Sequence, residues 1–241
     1  MTPFDLSGRT ALVTGGGRGL GRGITEGLLA AGARVVVMQR QEPPTDLDVG
    51  FVAADLADAS GLDNAIGRVL AENCIDILVN NAGTQFRARA EDFPLDRFNE
   101  VLEVNLRSAF RLCQAFGKPM LDRGEGKIVN VASLLSFQGG VTVPAYAASK
   151  GAIAQLTKAL CNEWAGRGVN VNAVAPGYMD TDLNTALLAD AERSAAISAR
   201  IPAGRWGSAS DLAGAVVFLS SHAADYIHGV TLPVDGGWLA R

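Results

Sequence analysis

Thr10-Ala11-Leu12-Val13-Thr14-Gly15-Gly16-Gly17-Arg18-Gly19-Leu20-Gly21 stands near the start of the chain, and its reading decides the fold. Thr10–Val13 is a short apolar run of strand length that ends in glycines. A helical pattern over Gly19–Ala31 follows at once. Glycine at 15, 19 and 21 lets the backbone turn sharply and approach a ligand with no Cβ in the way. The first turn of the helix then offers free N–H groups and positive potential, which suits a pyrophosphate. A glycine-rich loop alone marks only a turn; the strand before it and the helix after it supply the required context. No Gly-Lys-Ser/Thr follows, so this is not the phosphate loop of a nucleoside triphosphatase.

The same alternation continues outward. Further strand-like runs are Val35–Met38, Phe51–Ala53, Ile75–Val79, Lys127–Val131, Val169–Val174 and Val230–Val234. Helical patterns lie between them over Leu62–Glu72, Leu95–Asp122, Tyr146–Arg167 and Ser208–Ser221. Nearly continuous apolar strands separated by helices predict an α/β fold, a doubly wound parallel sheet of seven strands with helices on both faces. Ser60, Asp96, and Ser208 with Asp211 supply helix starts. Gln41–Asp48, with Pro43-Pro44, reads as a loop. Tyr178–Arg200 shows no strand pattern and reads either as a mobile lid or as an ordinary pair of surface helices.

Composition bounds the rest. The 241 residues suit one α/β domain, and 48% hydrophobic against 19% charged residues is ample for a buried core. A net charge of -4 leaves no basic footprint for nucleic acid. Three dispersed cysteines, Cys74, Cys113 and Cys161, read as reduced thiols. His222 and His228 form no ligand pair with any of them, so no metal is expected. The N-terminus lacks the pattern of a signal peptide and no apolar stretch is long enough to span a bilayer, so a cytoplasmic protein with no membrane partner is expected.

The end of the second strand tests which dinucleotide the loop would hold. A site for NAD usually places a carboxylate there to accept from the ribose 2′-OH. This chain has Gln39 and Arg40, with Arg18 in the glycine loop able to reach the same place. Two guanidiniums and no carboxylate suit a 2′-phosphate and favour NADP over NAD. The other reading leaves Arg40 as a solvated loop residue, with Gln39 on the ribose hydroxyls of NAD.

With these residues the chain resembles the short-chain dehydrogenase/reductase family. The markers are the Thr14–Gly21 glycine spacing, Asn80-Asn81-Ala82-Gly83, and Ser133 thirteen residues before Tyr146 with Lys150 four after it. Pro176-Gly177 and Asp235-Gly236-Gly237 complete the set, in the family's order. Ala132–Gly140, Ile201–Gly207 and Val234–Arg241 are similar to the 2-dehydro-3-deoxy-D-gluconate 5-dehydrogenase branch of that family, also called 2-deoxy-D-gluconate 3-dehydrogenases, which acts on keto and deoxy sugar acids. The likeness is weaker over the first ~50 residues, and Gln41–Val49 is short for that branch.

The chemistry of the residues fits the resemblance. Hydride transfer to a ketone leaves an alkoxide that needs a proton, and the reverse reaction needs a base. A free phenol is too weak an acid for easy base work at neutral pH. Lys150 lies one helical turn from Tyr146, where its ammonium should lower the phenol's pKa. Ser133 ends the fifth strand and can hold the reacting oxygen against Tyr146. Each residue alone has a plainer reading as a surface pair or a cap; the joint spacing favours catalysis. The resemblance adds Asn105 as holder of a water in a proton relay, and Lys150 as a partner of the nicotinamide ribose.

The resemblance also implies that Gly15, Gly17, Arg18, Gly19 and Leu20 hold the cofactor phosphates and that Asp55 and Leu56 meet the adenine. Asn81, Ala82 and Gly83 are then expected along the adenosine ribose, and Pro176, Gly177, Met179 and Thr181 at the nicotinamide. A sugar acid needs a cation and hydrogen-bond donors; Arg87 and Gln138 are the first candidates and Tyr178 the next, with solvated arginines as the plainer reading. Arg205 and Trp206 read as packing residues. The competing substrate is a 3-oxoacyl thioester, left open by Arg97, Arg107, Arg111 and Lys118, and the competing class is a dinucleotide-binding protein without catalysis. By resemblance a homotetramer is expected, paired through the Leu95–Asp122 and Tyr146–Arg167 helices.

Overall fold

All seven apolar runs form strands: β1 (Thr10–Thr14), β2 (Arg34–Gln39), β3 (Gly50–Ala53), β4 (Ile77–Asn80), β5 (Gly126–Val131), β6 (Val169–Pro176) and β7 (Thr231–Val234). In the computed structural model, which describes residues 2–181 and 184–241, they pair in parallel into one sheet in the order β3-β2-β1-β4-β5-β6-β7. Every residue of β1, β4, β5 and β6 is buried, as the unbroken apolar runs require of strands covered on both sides.

The period of two in a strand divides that core between the sheet's faces. Ala11 and Val13 of β1 pack with Ile24 and Leu28 of α1 (Gly19–Ala30) and with Leu212, Val216 and Leu219 of α8 (Ala209–Ser220). Leu12, between them, joins the other side. There it meets α2 (Ala59–Glu72), α4 (Ser108–Arg123) and α5 (Pro144–Trp164) through Ile66, Phe116 and Leu160. Gly23 lets α1 and α8 approach closely; a Cβ there would lie 2.6 Å from that of Ala209.

The helices differ from expectation at several points. α2 begins at Ala59, because Asp58 rather than Ser60 is its cap and accepts from the Ser60 N–H at 3.1 Å. The next helix, α3 (Leu95–Leu102), follows Pro94, so Asp96 sits in its first turn instead of capping it. The expected unbroken helix Leu95–Asp122 is interrupted by a π-helical turn over Glu103–Arg107 before α4 begins. Ser208 and Asp211 start α8 as read: Asp211 accepts from the Ser208 N–H at 2.7 Å. The Tyr178–Arg200 segment contains two helices, α6 (Thr185–Leu188) and α7 (Ala191–Arg200); Asp182 and Leu183, within the expected lid, lie outside the described residues.

β2 lies on one side of β1 and β4 on the other, so the sequence order reverses at that seam. Loops leaving the strand C-termini part there and open a crevice, the usual place for ligands in such a sheet.

Candidate active site

A cleft of about 1250 Å³ occupies that crevice. Gly15, Gly17, Arg18, Gly19, Leu20, Gln39, Arg40, Asp55, Leu56, Asn81, Ala82 and Gly83 line it, with Pro176, Gly177, Met179 and Thr181. Arg87, Ser133, Gln138, Tyr146, Lys150 and Tyr178 line the same cleft. Among the residues expected at the site, Asn105 alone does not; it is buried behind the cleft wall.

The glycine loop is built as a cradle. Gly15 and Gly19 have φ of 64° and 51°, the left-handed region that glycine enters without penalty. A Cβ on Gly21 would fall 2.0 Å from the Gly15 carbonyl oxygen, so that position has no room for a side chain. α1 starts with neither a side-chain cap nor an acidic residue in its first turn, which leaves its N–H groups to an anion. Thr14 and Asn81 brace the loop from below: Asn81 Nδ2 donates to Thr14 O at 2.9 Å and its N–H to Thr14 Oγ1 at 3.0 Å.

At the end of β2 the Gln39 amide accepts from the Gly17 N–H at 2.8 Å and donates to Gln41 O at 2.8 Å. Its side chain is therefore committed to shaping the loop. Arg18 and Arg40 line the cleft beside it without a carboxylate partner among the described residues. The carboxylates of that end are Asp55, which accepts from the Ala57 N–H at 3.0 Å, and Glu42; neither stands at the strand end. Glycine cradle, open helix start and two unpaired guanidiniums fit a dinucleotide carrying an extra phosphate.

Ser133 follows β5 in extended conformation, and α5 carries Tyr146 and Lys150 one turn apart. Burial pushes the Tyr146 phenol above its ordinary pKa, and the neighbouring Ser133 hydroxyl pulls it partway back. This corrects the expectation that Lys150 lowers it. The ammonium is 5.6 Å from the phenol ring centre and donates to Val131 O at 2.6 Å, so it is anchored to the strand end. Lys150 is itself buried, and desolvation brings it down to about 8.

Asn105 sits in the π turn with all of its amide engaged. Its Oδ1 accepts from the Thr84 N–H at 2.8 Å; its Nδ2 donates to Thr84 O at 2.9 Å and to Ser149 Oγ at 3.0 Å. Ser149 in turn donates to Tyr146 O at 2.7 Å. The amide thus clamps the segment after Gly83 to the helix that carries Tyr146 and Lys150. At the sheet's end, a Cβ on Gly177 would lie 2.6 Å from Asp235 Cα. Asp235 accepts from the N–H groups of Gly237 and Leu239, both at 2.9 Å, which explains the Asp-Gly-Gly marker as a turn.

Several cleft residues escaped sequence reasoning: Asn184, Leu187, Arg193, Ile197, Arg200 and Trp238. The 193–197–200 spacing on one helix face was readable, but which way that face turns was not. Arg89, near Arg87 in the chain, does not line the cleft, and Arg205 is taken up by Asp211 at 2.7 Å.

A cleft at the strand C-termini with a glycine cradle at one end and Ser, Tyr and Lys in its wall defines a nicotinamide-dependent oxidoreductase, and the chain belongs to the short-chain dehydrogenase/reductase family, which acts on CH–OH groups with NAD(P). The family described as Enoyl-(Acyl carrier protein) reductase matches residues 15–239. The chain is 51% identical to the 2-dehydro-3-deoxy-D-gluconate 5-dehydrogenase of Pseudoalteromonas atlantica, over 100% of both chains. A structure from Beutenbergia cavernae with NADP bound at low occupancy is 52% identical and superposes with a TM-score of 0.96, covering 99% of this chain and 100% of that one. A gluconate 5-dehydrogenase from Burkholderia cenocepacia in complex with NADP and tartrate is 42% identical, with a TM-score of 0.95 and coverage of 99% and 98%.

Proposed function

We propose that this chain is an NADP(H)-dependent dehydrogenase of keto-deoxy sugar acids, with Ser133, Tyr146 and Lys150 as its catalytic residues and Asn105 as their support. The observation that carries the reading is the meeting of those three side chains on the cleft that begins at the glycine cradle. When bound, NADP supplies the ring carbon that takes or gives the hydride. Ser133 Oγ holds the reacting oxygen. Tyr146 gives its phenolic proton to the oxygen of a carbonyl as that carbon is reduced, and takes it back when the alcohol is oxidised. Lys150, anchored on Val131 O beside the phenol ring, meets the nicotinamide ribose, and Asn105 keeps its helix in place through Ser149. Arg87, Gln138 and Tyr178, all in the cleft wall, are the substrate contacts. Arg18 and Arg40 take the 2′-phosphate, Gly15, Gly17, Gly19 and Leu20 the pyrophosphate, and Asp55 and Leu56 the adenine end. Asn81, Ala82 and Gly83 line the adenosine ribose; Pro176, Gly177, Met179 and Thr181 lie at the nicotinamide.

The substrate class draws on the relatives named above, one of which holds tartrate, a hydroxy acid. A carrier-bound 3-oxoacyl thioester is disfavoured by the charges on α3, the π turn and α4. Arg97, Arg107 and Arg111 are paired with Glu100, Glu103 and Asp63, so three of the four cations a carrier would use, all but Lys118, are offset by a carboxylate. A homotetramer and a cytoplasmic location belong to the same reading. Three free cysteines support the second, and no helix among the described residues is long and apolar enough to cross a membrane. The test is NADPH oxidation with 5-keto sugar acids, with acetoacetyl thioesters and with neither. Turnover confined to the thioester would replace the substrate, and no turnover with any carbonyl would leave a dinucleotide-binding protein.

A further inference from the structure

One face of α7 turns Arg193, Ile197 and Arg200 into the cleft, at the four-then-three spacing of a helical stripe. The Arg200 guanidinium lies 3.9 Å from the ring centre of Trp238, in the 3-10 turn Trp238–Ala240. Trp238 is 4% exposed and packs on Tyr178 with ring centres 4.6 Å apart. It lines the cleft, and its indole N–H, itself shut off from solvent, has no hydrogen-bond partner among the described residues. Among the described residues, neither Arg193 nor Arg200 has a carboxylate partner, whereas Arg205 nearby in sequence is spent on Asp211.

Resting on the sugar-acid reading above, we propose that Arg200 and Trp238, with Arg193 beside them, form the subsite for the substrate's carboxylate. Stacking on the indole fixes the plane of the Arg200 guanidinium and leaves its edge N–H groups free to fork onto two carboxylate oxygens. Trp238 contributes the ring on which the guanidinium rests. The C-terminal end of α7 would repel an anion, but the Arg241 guanidinium sits 3.5 and 3.4 Å from the carbonyls of Ala199 and Arg200 and offsets that end. Tyr178 bridges the two parts of the site: its ring meets Trp238, and its chain position follows the Pro176-Gly177 turn expected at the nicotinamide. A sugar acid held by its carboxylate at Arg200 therefore presents its carbon chain toward the reacting centre. A neutral sugar alcohol lacks the charge this wall is built for.

The test is calorimetric titration of the NADP⁺-loaded protein with D-gluconate, with D-glucitol as the neutral counterpart, and with inorganic phosphate. The wild type should bind gluconate about tenfold or more tighter than glucitol or phosphate. Arg200→Met should weaken gluconate about tenfold and leave glucitol within about twofold. Arg200→Lys, which keeps the charge without the planar fork, should fall between them, and Trp238→Leu, which removes the ring under the guanidinium, should weaken gluconate about threefold. Gluconate binding unchanged in Arg200→Met, or no wild-type preference over glucitol, overturns the subsite, as does an equal loss of both ligands. Gluconate binding lost on Arg200→Met in a protein that reduces no keto acid would sink the reaction assigned above and leave the subsite standing. Wild-type kcat/KM on keto acids in Arg200→Met would do the reverse.

Discussion

Lys150 holds an ammonium where burial disfavours it, and donates to Val131 O. Its pKa falls from 10.5 in the open chain to about 8 in the fold, so between those values the unfolded chain binds more protons. Its contribution to stability is present above pH 10.5 and is lost as the pH falls to about 8. Relative to Lys150→Met, the wild type should therefore gain melting temperature as the pH rises through that window, and a flat difference in a scanning calorimetry series would contradict the buried charge. Tyr146→Phe should lower kcat by about 10²–10⁴-fold while leaving the Kd for NADPH within about twofold. Retained turnover would reject the acid/base assignment. Arg40→Ala should weaken NADPH about tenfold and NADH hardly at all; equal losses in fluorescence titration would reject the 2′-phosphate role. At this scale the sequence was most legible for residues fixed by mutual spacing, such as Tyr146 and Lys150. The direction of the phenol's shift was not legible, because it follows from how deeply the phenol is buried, which the Ser133 hydroxyl offsets only in part.

Helix starts were readable wherever the capping residue also governs its own neighbours. Ser208 with Asp211 is such a case, and Arg205 adds two contacts to Asp211 at 2.7 and 2.8 Å that hold its carboxyl well below the usual range. Asp211→Ala should cost about 1–2 kcal/mol in chemical denaturation, chiefly through the lost cap. A change under a few tenths would show the cap to be dispensable. Ser60 misled because Asp58, two residues earlier, reaches the same N–H. The π turn at Glu103–Arg107 has no composition of its own: what forces it is Asn105 turning inward to Thr84 and Ser149, contacts made across 21 and 44 residues of chain. The direction of α7 was hidden for the same reason, since its cleft face is defined by Trp238 near the other end of the fold.

For the molecule as a whole, the parallel sheet follows from buried apolar runs covered on both faces, and the cleft follows from the reversal between β1 and β4. The parallel seven-stranded sheet was present in the alternation of strand and helix; the order of its strands and the seam between β1 and β4 were not, because they depend on which runs pair across the chain. Assembly was not, because an apolar stripe on a helix looks alike whether it faces a core or a partner. Leu95 and Phe110, on α3 and α4, stay exposed in the single chain. Sedimentation should give about four times the 25.1 kDa of one chain, and Leu95→Glu with Phe110→Glu should lower it; a monomer at micromolar concentration would remove the tetramer from the reading.

The wide turn around Asn105 carries one more consequence. A π turn holds one residue more than a regular turn, so α3 and α4 keep their packing phase only because the extra residue is absorbed there. Excising a single position from 103–107 would let both flanking helices continue as one ordinary helix without rotating Phe116 off the sheet. The shortened chain would fold and still embrace its dinucleotide, yet the amide that ties the two halves of the crevice together would be gone. Such a variant would part assembly of the scaffold from turnover by the loss of one link.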